Sequence, residues 1–112
     1  MLNNGSFYSL GEIVKYVIDD FNLGDEFCLY GDSLPLQVDG VYLVDDYPDV
    51  ADDEEIYPKV VMLKNLNFLY SGQQFADVIK NVMNQVKNPN ISEFKLALDF
   101  YSKNDNFLNF SN

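Results

Sequence analysis

The 112-residue sequence contains no histidine, no arginine and no tryptophan, and its seven lysines are scattered singly. Without histidine, the chain lacks the commonest general base, metal ligand and proton shuttle near neutral pH. Without arginine, it lacks the side chain that binds phosphate groups in a bidentate manner. Nucleic-acid binding also requires a basic stripe. We therefore expect no direct binding to nucleic acid or to an anionic membrane.

Cysteine is almost absent as well, since Cys28 is alone and cannot form an internal disulfide. It lies in the apolar run Phe27–Tyr30, which predicts a buried, unreactive thiol and a reducing compartment. No stretch approaches the ~18 consecutive apolar residues that span a bilayer. Residues 1–5 lack the basic and apolar regions of a secretion signal. These features predict a cytoplasmic protein without a membrane partner.

The length and composition indicate one globular domain over residues 1–112. Apolar residues make up 47% of the chain and include eight tyrosines and nine phenylalanines. Disordered acidic segments are poor in such residues. The sequence shows no internal repeat and no low-complexity linker.

Three helix starts are predicted by capping boxes, in which a Ser or Asn side chain and a Glu or Gln three residues later satisfy the first backbone amides. The boxes are Ser9–Glu12, Ser71–Gln74 and Asn90–Glu93. Each precedes apolar residues at helical spacing. We predict helices from Leu10 to about Phe21, from Ser71 to about Lys87, and from Asn90 to about Tyr101.

The middle of the chain is rich in short apolar runs typical of strands. The predicted strands are Glu26–Tyr30, Val41–Val44, Lys59–Lys64 and a short Asn67–Tyr70. Lys59–Lys64 is nearly continuous in apolar residues, as in strands buried on both faces. The predicted fold class is α+β, with an N-terminal helix, a three- to four-stranded antiparallel or mixed sheet, and two C-terminal helices packed on it.

The charge is strongly one-sided. The chain has 18 acidic and 7 basic residues, a net charge of -11, and thirteen carboxylates lie between Lys15 and Lys59 without a basic residue among them. Self-repulsion of this size suggests a counter-charge on a partner. Seven of the carboxylates lie within Asp45–Tyr57, a stretch without periodicity that we predict to be a long loop. Loops of this length in small domains are usually functional or disordered.

Four interpretations of this loop follow from its residue types. It is a solvated segment that maintains solubility, a surface for a basic protein, a site for a hard cation such as Ca²⁺, or a pair of catalytic carboxylates. Interleaved tyrosines favour protein binding, because aromatic residues dominate interface energetics while charges steer encounter. No EF-hand pattern is present, and no nucleophile motif accompanies the carboxylates. We therefore expect neither catalysis nor a cofactor.

The C-terminal half resembles small acidic bacterial immunity proteins of the contact-dependent growth-inhibition type, which neutralise secreted toxins. The likeness is carried by Tyr70–Phe75, Phe94–Tyr101 and Asn104–Leu108, with a looser similarity over Leu36–Asp46. These are core and cap positions rather than catalytic ones. The resemblance implies an α+β fold and a toxin partner, without indicating which toxin.

Together, charge and resemblance predict a protein that binds a cognate basic toxin, of the nuclease type, by stoichiometric inhibition. A nuclease presents a basic cleft to phosphate, which an acidic surface can occupy, and we expect the inhibitor to be a monomer. The predicted partner-binding residues are Asp45, Asp46, Tyr47, Asp49, Asp52, Asp53, Glu54, Glu55 and Tyr57. The carboxylates would supply the field and the two tyrosines the desolvated anchors. An acidic nucleic-acid mimic that blocks another enzyme, a carboxylate-based hydrolase and a calcium binder remain alternatives.

Overall fold

The computed structural model describes residues 2–111, and its architecture confirms the predicted α+β class. The helices are α1 (Leu10–Asp19), α2 (Lys59–Leu63), α3 (Gly72–Gln85) and α4 (Ile91–Asn104). The strands are β1 (Ser6–Ser9), β2 (Cys28–Gly31), β3 (Val41–Asp45), β4 (Asp49–Ala51), β5 (Glu54–Ile56) and β6 (Asn67–Ser71). A 3₁₀ helix, Phe21–Asp25, connects α1 towards β2.

Four of these strands form an antiparallel sheet in the order β1-β3-β2-β6. One face of the sheet, which carries Leu29, Val44 and Tyr70, packs with buried residues of α1, α3 and α4 in the main hydrophobic core. The opposite face carries Tyr30 and Leu43 in a smaller core with α2. The sheet is therefore covered on both faces, by three helices on one and a single short helix on the other.

All three predicted capping boxes are present. The Ser9, Ser71 and Asn90 side chains accept hydrogen bonds from the backbone amides of the third helical residue, and the Glu or Gln there accepts from the cap amide. These bonds satisfy amides that the first helical turn leaves without partners. The starts of α1, α3 and α4 are thus fixed by local chemistry.

The 3₁₀ helix and the first turn of α3 touch through two glycines. A Cβ on Gly24 would lie 2.5 Å from the Gly72 carbonyl oxygen, and a Cβ on Gly72 would collide with the carbonyl oxygens of Phe27 and Gly24. The Gly72 amide donates to the Phe27 carbonyl at 2.9 Å. Only residues without a side chain permit this approach.

The predicted strand Lys59–Lys64 is wrong, because the segment forms the short helix α2. Val61 is buried in the smaller core, whereas Met62 and Leu63 are 66% and 74% exposed. A short apolar run cannot be assigned to strand or helix by periodicity alone. The expected burial on both faces is likewise absent from this part of the described chain.

The end of α2 shows why a helix forms there. Asn65 has a left-handed φ of 54°, and its amide donates to the Met62 carbonyl while the Leu66 amide donates to the Val61 carbonyl. These two bonds make a Schellman motif, in which Asn is an accepted substitute for glycine. Leu66 also packs against the small core that contains Val61, the hydrophobic contact that accompanies this motif.

Two further elements differ from the sequence-based expectation. β1 was not predicted, and it pairs with β3 along the edge of the sheet. Residues 45–57, predicted as a loop without regular structure, contain β4 and β5 paired as a hairpin. All three are short strands whose residues do not alternate cleanly between apolar and polar.

We predict that Gly72→Ala destabilises the protein by ~1–3 kcal/mol or more, because the new methyl group must displace backbone atoms. Gly11→Ala is the matched control, since nothing lies within 4 Å of a Cβ placed there. In a helix, that substitution is expected to stabilise by ~0.5–1 kcal/mol. Urea unfolding of both variants checks the prediction, and equal midpoints would contradict it.

Candidate partner-binding hairpin

The hairpin β4–β5 follows directly from the central strand β3. Asp49 faces Ile56, Val50 faces Glu55 and Ala51 faces Glu54, with two residues at the tip. Every residue from 49 to 56 is exposed. Because side chains alternate between the faces of a strand, Glu54 and Glu55 point to opposite sides, and both sides of the hairpin carry negative charge.

The tip is built from two aspartates in a left-handed backbone conformation. Asp52 has a φ of 53° and Asp53 a φ of 65°. Positive φ at both central residues is what a two-residue type I′ turn requires, because its twist matches that of the flanking strands. Aspartate tolerates this conformation better than most residues. The same two side chains therefore set the turn and place two charges at its end.

The structure separates the seven predicted carboxylates into two groups. Asp46, Asp49, Asp52, Asp53, Glu54 and Glu55 are exposed, whereas Asp45 is only 6% exposed at the end of β3. The Asp45 carboxylate accepts from the Asp46 amide at 2.8 Å, and the Asp46 carboxylate accepts from the Asn4 side chain at 2.6 Å. Asp45 lies beneath the surface, and the other six form its exposed charge.

Tyr47 lies at the base of the hairpin, where it is half-buried. Its hydroxyl donates to the Gly24 carbonyl at 2.7 Å and accepts from the Gln73 amide at 3.2 Å. Burial raises the pKa of this hydroxyl above its usual range. Tyr47 thus ties the hairpin to the 3₁₀ helix and to the first turn of α3.

Tyr57 holds the other side of the base. Its ring contacts that of Tyr30 edge to face, with centroids 6.2 Å apart and planes at 88°. The Tyr30 hydroxyl donates to the Asp46 carbonyl at 2.8 Å. Both strands of the hairpin therefore return to the smaller core. The two tyrosines predicted as anchors lie together at the base rather than at the charged tip.

The region offers carboxylate oxygens but no assembled cation site. Between Leu2 and Ser111, no group of three His, Cys, Asp or Glu side chains is arranged to hold a metal ion. In the same range, no helix is long and apolar enough to cross a membrane. The hairpin itself is an exposed, negatively charged ribbon on an anchored base.

Met62 and Leu63 are exposed on α2. They were not among the predicted site residues because their segment was assigned to a buried strand. Signals for the short helix were present. Pro58 precedes the apolar run and Asn65 follows it, matching the proline and asparagine preferences at helix ends. Those signals favour a short helix over a strand for this run.

An α+β domain with a projecting acidic hairpin is thus the class of protein that the geometry defines. The chain belongs to the family described as Domain of unknown function (DUF7716), which matches residues 8–110. No curated protein and no solved structure matches the chain.

We predict that Asp53→Gly strengthens the hairpin, because glycine adopts positive φ without the steric cost that a side chain incurs, of ~1 kcal/mol. Hydrogen exchange of the hydrogen-bonded hairpin amides should slow by about fivefold. Asp53→Asn is the control, since it removes the same charge and retains a side chain. If both variants slow exchange equally, charge rather than backbone conformation limits the hairpin.

Stability should also fall at alkaline pH. Burial raises the pKa of Tyr30 and Tyr70, and it raises that of Cys28 to about 11. In the unfolded chain these groups titrate near their ordinary values of 10.0 and 9.0. Above about pH 9 the unfolded state therefore binds fewer protons than the folded state, and the free energy of unfolding decreases as pH rises.

Urea unfolding between pH 8 and 11 measures this decrease. Tyr70→Phe removes one of the titrating groups, so its stability should fall less steeply above pH 10, although it starts lower because the hydroxyl's bond to the Leu98 carbonyl is lost. A free energy of unfolding that stays constant from pH 8 to 11 would contradict the prediction.

Proposed function

We propose that this protein is an immunity protein, which binds and neutralises a cognate basic bacterial toxin by stoichiometric inhibition. The observation that carries the proposal is the exposed acidic hairpin on a fixed base. Six carboxylates are exposed from Asp46 to Glu55, and no basic residue lies between Lys15 and Lys59. The similarity of the C-terminal half to growth-inhibition immunity proteins supports the same function.

The anchored base suits the hairpin to this task. The Tyr47 hydroxyl bonds and the Tyr57–Tyr30 ring contact hold both of its ends. A hairpin held in one orientation loses less conformational entropy on binding than a mobile loop. The protein thus presents its charges without first having to order them.

A nuclease domain is the proposed kind of toxin, because an enzyme that cleaves nucleic acid concentrates positive charge where phosphates bind. A ribbon with charge on both faces and at its tip is shaped to enter such a cleft. Electrostatic attraction can accelerate association to ~10⁸–10⁹ M⁻¹s⁻¹ at low salt. Fast capture is useful against a toxin that acts as soon as it enters the cell.

The test is a pull-down of the tagged protein from a lysate of its own cells, washed first in low salt and then in ~0.5 M salt, which screens exposed charges. One basic polypeptide should remain in a 1:1 ratio. After purification, it should cleave nucleic acid, and an equimolar amount of this protein should stop the cleavage. Many basic proteins that all wash off would instead indicate nonspecific polyanion behaviour.

Charge reversal on the hairpin should mainly slow association with the captured toxin. We expect Glu54→Lys/Glu55→Lys to lower the association rate constant by about tenfold at low salt and to flatten its salt dependence. Asp19→Lys/Asp77→Lys is the matched control, because it changes the net charge equally, from -11 to -7, on α1 and α3. Stopped-flow rates that fall equally in both variants would show that net charge, not the hairpin, steers binding.

A further inference from the structure

A row of four apolar side chains crosses the face of the sheet that carries the smaller core. The strand register pairs Phe7 with Leu43, Leu43 with Tyr30, and Tyr30 with Phe68, so that the row runs through all four strands. Leu43 and Tyr30 in the middle are fully buried. Phe7 and Phe68 at the ends are 43% and 40% exposed.

The short helix α2 packs on the middle of this row through Val61. It contributes Val61 to the core with Cys28, Tyr30 and Leu43, and its next two residues, Met62 and Leu63, point outward. The protein thereby buries one apolar residue of α2 and exposes two larger ones beside it. Groups of exposed apolar side chains mark interaction sites in proteins that are otherwise well packed. We call the exposed side chains of Met62 and Leu63 the α2 face.

The base of the acidic hairpin and the helix α2 pack on the same small core, so the hairpin lies beside this face. Tyr57, which packs on Tyr30, directly follows the last hairpin residue, and one residue separates it from α2. At 3.2–3.4 Å per residue, the tip lies within ~13 Å of that base. The screening length at physiological ionic strength is about 8 Å, so the charge of Glu55, two residues from Tyr57 and within ~7 Å of it, still acts on a ligand there. The charges at the tip are largely screened at that distance.

The charge around the face excludes a second copy of this chain as the favoured occupant. From Asp45 to Lys64 there are seven carboxylates and two lysines, a local charge of -5 (2 minus 7). One of these lysines, Lys64, lies over the Phe7 ring with its Nζ 5.8 Å from the ring centroid. Two copies of a chain with net charge -11 would bring like charges together at this surface.

We infer that the α2 face is a docking surface for a polypeptide segment that combines apolar side chains with lysine or arginine. Its apolar side chains would cover Met62 and Leu63, and its cations would face the hairpin carboxylates. This deepens the proposed function, on which the identity of the natural partner rests. Specific binding would then come from apolar contacts on α2, while the hairpin accelerates the encounter.

Two synthetic peptides test the inference without requiring the natural partner. One is a 14-residue helical peptide with lysine on one face and leucine on the other, and the second replaces each leucine with serine at the same charge. Both carry a fluorophore for anisotropy titration. The wild-type protein should bind the leucine peptide at least about tenfold more tightly than the serine peptide, because only the former covers apolar surface.

Met62→Ser/Leu63→Ser should reduce this preference to within about twofold. The matched control is Met83→Ser/Leu96→Ser, which changes the same residue types on α3 and α4, where Met83 and Leu96 are 39% and 56% exposed. The control should keep the preference. All four positions are in solvent, and thermal melting of each variant verifies that it folds.

Equal binding of the two peptides, or a preference that survives in Met62→Ser/Leu63→Ser, would overturn the inference. So would a dimer of the free protein that this variant converts to monomer, because a second copy would then be the occupant. The outcome is separable from that of the proposed function. If the lysate yields no single toxin while the peptides discriminate through α2, the docking surface stands and the immunity function falls.

Discussion

The backbone of Gly72 lies against that of Gly24 so closely that neither residue has room for a side chain. This contact holds the 3₁₀ helix on the first turn of α3 and lets the Gly72 amide reach the Phe27 carbonyl just before β2. The Gly24 carbonyl then accepts the Tyr47 hydroxyl at the base of the hairpin. One glycine pair therefore positions the main core, the second strand and the acidic hairpin relative to one another.

The two faces of the sheet are covered to different extents. The face with three helices contains most of the buried apolar side chains, including those of α1, α3 and α4, and hydrophobic burial there supplies the larger part of the driving force for folding. The other face buries four residues and bears both the hairpin and the exposed side chains of α2. Exposed residues can vary on this thinly covered face while the larger core remains intact.

The sequence predicted the parts of the fold that depend on local chemistry. Capping boxes located α1, α3 and α4, because Ser9, Ser71 and Asn90 satisfy backbone amides only a few residues away. Prediction failed for α2, whose strand-like composition outweighed the local helix-end signals at Pro58 and Asn65. A local Schellman motif and the tertiary burial of Val61 make the segment helical. The carboxylates of the candidate site were found by composition, whereas the hairpin was not, because its residues are exposed on both faces and show no period.

Every non-glycine residue that the structure describes with positive φ is an asparagine or an aspartate, namely Asp52, Asp53, Asn65, Asn88 and Asp105. At the hairpin tip, negative charge can therefore be removed without changing the backbone conformation of the turn. Exchange of aspartate for asparagine retains a side chain that tolerates the left-handed backbone and removes a single negative charge. Each aspartate-to-asparagine exchange therefore lowers the negative charge of the tip by one unit while the turn is retained, so surface charge and fold can change independently at this position.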